Sequence, residues 1–114
     1  MTDRPGRLQA FKAEFFKALA HPLRIRILEV LVSREHSVAE IQRAVGAEQS
    51  SVSQQLALLR AKDIVRARKE GTTVYYTIVD PEVGTLLRAA RTIFNNQLAG
   101  TRSLLRELAR ERRR

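Results

Sequence analysis

The sequence predicts a mainly α-helical domain with one small β-hairpin placed before its last helix. Three observations carry that reading. Apolar residues recur at helical spacing in five segments, and a β-branched and aromatic stretch between residues 64 and 79 breaks the pattern. The chain has 114 residues, 44% of them hydrophobic and 29% charged, which suits one ordinary core. The expected organisation is a flexible N-terminus over 1–7, one domain over 8–109 and a basic tail over 110–114. With no cysteine in the chain, disulfides, thiolate zinc sites and cysteine nucleophiles are excluded. No stretch has the length of apolar sequence that a membrane span or signal peptide needs, so the expectation is a cytoplasmic protein with no membrane partner.

The elements follow in order. Leu8, Phe11, Phe15, Phe16 and Leu19 give a first amphipathic helix, interrupted at Ala20-His21-Pro22, where His21 caps a second helix with Pro22 at its first position. That helix runs to about Ser33 and buries Leu23, Ile27, Leu28 and Leu31. Ser37-Val38-Ala39-Glu40 fits a capping box and opens a short third helix with Val38, Ile41 and Val45 inward. Gly46 supplies the positive φ of a tight turn, and a fourth helix covers about 48–61 with Val52, Leu56 and Leu59 inward. Ile64 to Lys69 and Thr72 to Val79 read as two strands joined by Glu70-Gly71, with Arg66 and Arg68 on one face. His36 falls in a loop. A last helix over about 81–108 keeps one apolar stripe throughout, including Leu87, Ala90, Phe94, Leu98 and Leu105.

Charge is the strongest pointer to a partner. Lys and Arg number 21 against 12 Asp and Glu, a net charge of +9. The excess gathers between Arg60 and Glu70 and between Arg106 and Arg114. Such a balance favours a polyanion, usually nucleic acid. The third and fourth helices have the layout of a helix-turn-helix, and the hairpin that follows has that of a wing. The exposed start of the fourth helix carries Gln49, Ser50, Ser51, Ser53, Gln54 and Gln55, uncharged groups able to bond base edges in a major groove. Gln54 or Gln55 suits the N6 and N7 of adenine. Arg60, Arg66, Arg68, Lys69, Thr72 and Thr73 suit phosphates beside it. A small domain cannot cover the whole stripe of the last helix, so Leu8, Phe11 and Phe15 of the first helix and the stripe residues of the last form the expected homodimer interface.

These elements, in this order, resemble a known family. Phe16 to Leu28 (FKALAHPLRIRIL), Ser50 to Leu59 (SSVSQQLALL) and Arg68 to Tyr76 (RKEGTTVYY) are similar to the arsenical-resistance-repressor (ArsR) family of winged helix-turn-helix transcription factors. The resemblance implies a homodimeric repressor on a palindromic operator of double-stranded DNA, released by an effector. It also implies a test for metal ligands. The family's long-helix site pairs Asp-x-His with His-x-x-Glu, and here those positions read Asp80-Pro81-Glu82 and Ile93-Phe94-Asn95-Asn96, leaving Asp80 alone in place. The family's thiolate site needs cysteine. The expectation is therefore no metal, no cofactor and a signal not read through thiols.

No catalytic motif is present, so an enzyme is not expected. Two rivals stand beside the repressor reading. A nonspecific architectural DNA-binding protein would account for the charge alone, and a protein-interaction module would account for the exposed helix. Uncharged groups on the fourth helix oppose the first, and strong basicity opposes the second.

Overall fold

The computed structural model describes residues 6–113 and comprises two compact units, which divide between Pro81 and Glu82. The first holds α1 (Arg7–Leu19), α2 (Pro22–Leu31), β1 (His36–Ser37), α3 (Val38–Val45), α4 (Gln49–Ala61), β2 (Val65–Glu70) and β3 (Thr73–Ile78). The second is the single helix α5 (Glu82–Arg113). Of the expected flexible N-terminus, residues 1–5 lie outside the described residues, whereas Arg7 already opens α1.

Local chemistry sets most boundaries. The amide of Leu23 donates to His21 Nδ1 at 3.2 Å, and Pro22, with no N–H to satisfy, occupies the first helical position. The Ser37-Glu40 capping box forms in full. Glu40 N donates to Ser37 Oγ at 3.2 Å and Ser37 N to Glu40 Oε1 at 2.9 Å. The bond from the Ser37 backbone, with Arg34 beside it, holds the Glu40 carboxyl below its usual range. Gly46 ends α3 at φ 66°, a region that side chains with a Cβ rarely occupy.

Helix α4 ends in a Schellman motif built on Asp63 in place of glycine. Asp63, at φ 57°, donates its amide to Arg60 O, and Ile64 donates to Leu59 O. Aspartate tolerates this left-handed conformation better than most residues. The motif closes with Leu59 and Ile64 both buried, and it launches β2 directly from the end of α4.

The core of this unit joins α2, α3 and α4 to the base of the hairpin. Ile27, Leu28, Leu31, Ile41, Val45, Val52, Leu56, Leu59, Ile64 and Val65 are all buried. Leu23 and Val38, expected inward, are only half-buried, because each stands in the first turn of its helix at the rim of the core.

The sheet differs from expectation in two ways. It has three strands, in the antiparallel order β1-β3-β2. The third is β1, whose two residues are too few to show any alternation. His36 is thus a strand residue opposite Tyr76, nearly buried, with Nδ1–H donating to the Arg34 carbonyl at 2.8 Å. The hairpin connection also moves by one residue. Glu70 pairs with Thr73, so the turn is Gly71-Thr72, with Gly71 alone at positive φ as a type II′ turn requires.

Helix α5 extends five residues past the expected end at Leu108, through residues 109–113. Its 32 residues make a rod about 48 Å long. The segment read as a basic tail is therefore helical over 110–113. Arginine and glutamate are good helix formers, and cations at a helix C-terminus offset the negative end of its dipole. Among the described residues no helix is long and apolar enough to cross a membrane.

Candidate nucleic-acid interface

Helix α4 sorts its side chains by chemistry. Val52, Leu56 and Leu59 are buried, which turns Gln49, Ser50, Ser53 and Gln54 outward, while Ser51 and Gln55 are half-buried at the margin. Thirteen residues give a helix of about 20 Å, a length that a major groove accepts. Its first turn contains no acidic residue, and Glu48 makes no side-chain cap bond. The first amides of α4 and the positive end of its dipole are thus free of a capping carboxylate. Arg60 stands exposed in the last turn.

The two glutamines differ. Gln54 is exposed, whereas the Oε1 of Gln55 is buried and has no hydrogen-bond partner among the described residues. The Oε1 of Gln55 is therefore enclosed by the protein, and Gln54 is the more open amide.

The hairpin also has two faces. Strand register places Val65, Ala67 and Lys69 with Ile78, Tyr76 and Val74, and the burial of Val65 marks that side as inward at its base. Arg66, Arg68 and Glu70 share the other face with Thr77, Tyr75 and Thr73. Arg66, Lys69 and Thr72 are exposed and Thr73 is half-buried. Neither Arg66 nor Lys69 has an ion-pair partner among the described residues.

Arg68 is different. It donates to both oxygens of Glu35, at 2.7 and 3.0 Å, and to Glu70 at 2.8 Å, while its guanidinium lies 4.8 Å from the ring centre of Tyr75. The hydrogen bond from Arg68 holds the Glu35 carboxyl below its usual range, and the two carboxylates raise the already high pKa of Arg68. Nothing in the residue pattern points to Glu35, since it lies 33 positions from Arg68 in the chain.

Among the described residues no group of three or more His, Cys, Asp or Glu is placed to hold a metal ion. Ala18 and Leu19 at the end of α1 are buried, but Leu8, Phe11 and Phe15 of α1 and Phe94, Leu98 and Leu105 of α5 are exposed, with Leu87 and Ala90 half-buried.

This arrangement has counterparts among known proteins. The family model of bacterial regulatory proteins of the arsR family matches residues 21–67, from the cap of α2 into β2. The uncharacterized HTH-type transcriptional regulator Rv0081 of Mycobacterium tuberculosis is 46% identical over 102 residues, 89% of this chain and 90% of that one. The chain belongs to the arsR family. Like other arsR-family chains it is a transcriptional regulator and not an enzyme. The crystal structure of Rv0081 matches it with a TM-score of 0.75, covering 86% of this chain and 97% of that one. The homodimeric winged helix-turn-helix DNA-binding domain Mb0332 of Mycobacterium bovis matches with a TM-score of 0.74 at 33% identity, over 86% and 91% of the two chains. A biofilm growth-associated repressor of Xylella fastidiosa is 35% identical over 85 residues, 75% of each chain.

Proposed function

We propose that this arsR-family chain is a homodimeric repressor that binds a palindromic double-stranded DNA operator and blocks transcription sterically. The observation that carries the reading is the face of α4: uncharged hydrogen-bonding groups opposite a fully buried apolar face, beside a hairpin with unpaired Arg66 and Lys69. Each α4 enters a major groove and each wing grips the adjacent backbone. Gln49, Ser50, Ser51, Ser53 and Gln54 meet base edges and nearby phosphates, with Gln55 at their margin. Arg60, Arg66, Lys69, Thr72 and Thr73 meet phosphates, and half-sites lie on one face of the duplex, about one helical turn apart or a multiple of it. The homodimeric state of Mb0332 supports a homodimer here, and the exposed apolar residues of α1 and α5 are the surface that we assign to a second copy. The signal that releases DNA acts without thiols, since the chain has none.

Roles inside the site separate by experiment. Gln54→Ala should cost about 1–3 kcal/mol at one operator position and relax specificity there, whereas Arg66→Ala should weaken binding to all sequences alike and lower the salt slope by about one. Competition binding against single-base operator variants, repeated across salt concentrations, reads both. Equal losses on operator and scrambled DNA for Gln54→Ala would remove that residue from base reading.

A further inference from the structure

Arg68 lies on an edge strand, yet its charge is engaged at the opposite edge. In the antiparallel sheet Arg68 of β2 stands opposite Tyr75 of β3, and Tyr75 stands opposite Ser37 of β1. Neighbouring strands are about 4.8 Å apart, so the two edges are about 10 Å apart. The guanidinium crosses that width over the Tyr75 ring, 4.8 Å from its centre, and ends in a two-point contact with Glu35, the residue preceding β1. Glu70 holds the remaining nitrogen from the same strand, at 2.8 Å. Glu35 is joined directly to the start of the helix-turn-helix, because Ser37 is the cap of α3 and Arg34, on its other side, pairs with Glu40 at 3.5 Å.

We propose that Glu35 and Arg68 form a strap that fixes the wing relative to the helix-turn-helix, making Glu35 a positioning residue for DNA binding and removing Arg68 from the phosphate contacts. Planar two-point pairing with a carboxylate restricts orientation as well as distance, which a lysine at position 68 would not reproduce. Three of the five guanidinium N–H donors of Arg68 are taken by two carboxylates, which also offset its charge toward a phosphate. The unpaired cations Arg66 and Lys69 face no such competition. Strapping also explains why an acidic residue stands beside a surface built for a polyanion: it ties the outer edge of the hairpin to the segment that leads into α3.

The functional consequence rests on the DNA-binding reading, but the strap itself is testable in free protein. The probes are a duplex enriched from a random library and a scrambled duplex of the same length. Removing a bystander carboxylate from beside a polyanion strengthens binding. A positioning role predicts the opposite sign: Glu35→Ala and Glu35→Gln should each weaken binding to the enriched duplex severalfold, with Arg68→Ala matching Glu35→Ala and the double variant no worse than either. The salt slope of Arg68→Ala should equal that of the unaltered protein, in contrast to Arg66→Ala. In the absence of DNA, amide hydrogen exchange in β2 and β3 should quicken in both alanine variants while the amides of α2 remain as protected as before. Tighter DNA binding by Glu35→Ala, a salt slope reduced by about one in Arg68→Ala, or unchanged wing exchange in both variants would each overturn the strap. Failure of the unaltered protein to bind either duplex would instead defeat the DNA-binding reading, leaving the exchange experiment to decide the strap.

Discussion

Leu56→Ala is expected to remove about 2–5 kcal/mol of folding stability. Leu56 is 0% exposed and sits at the middle of the buried face of α4, between Val52 and Leu59, where α4 packs on α2, α3 and β2. Deleting its three outer carbons loses their transfer free energy and leaves a cavity that the two helices and the strand packed around it cannot close. Against a total of about 5–15 kcal/mol for a domain of this kind, the loss is large. Urea unfolding followed by circular dichroism measures it, with the midpoint falling and the slope unchanged. A loss below about 1 kcal/mol would mean that α4 is held mainly by something other than this core. The consequence reaches function, because the same side chain that locks α4 inward fixes which residues point outward.

Leu98→Asp is expected to convert the homodimer to monomer. Leu98 is 57% exposed in the isolated chain and stands in an apolar row of α5 with Phe94 and Leu105, so the folded protomer should tolerate the change. The two-fold interface should not. Each dimer would bury two unpaired carboxylates, and a penalty of several kcal/mol raises the dissociation constant by roughly a hundredfold or more. Sedimentation at micromolar concentration should show monomer for the variant and dimer for the unaltered chain, with thermal unfolding of the DNA-binding unit at nearly the same temperature when both are diluted to monomer. A variant that sediments as a dimer would place the interface elsewhere.

What the sequence made legible is what short-range chemistry decides. The caps at His21 and Ser37, the turn at Gly46 and the inward rows of α2, α3 and α4 each depend on residues within a turn or two of one another. The face of α4 followed from the same logic, since knowing that Val52, Leu56 and Leu59 are buried gives the opposite side. Features set by distant partners, or by local chemistry that lacks its usual marker residue, were not legible. Strand β1 exists because β3 offers it an edge, and two residues leave no periodicity. The Schellman turn at Asp63 lacks the glycine that usually announces it. The extension of α5 was hidden behind a charge run, which reads as solvated chain although arginine and glutamate favour helix. The partners of Arg68 were invisible for the plainest reason: a charge in the sequence does not say whether another part of the chain already neutralises it.

The most direct test of the whole account is selection of bound duplexes from a random library at near-physiological salt, followed by sequencing. The account predicts enrichment of an inverted repeat whose half-sites are separated by about 10 base pairs centre to centre, or a multiple of that spacing. Retention of DNA with no enriched motif would contradict it, leaving the net charge of +9 as the whole basis of binding and a nonspecific architectural protein as the better description.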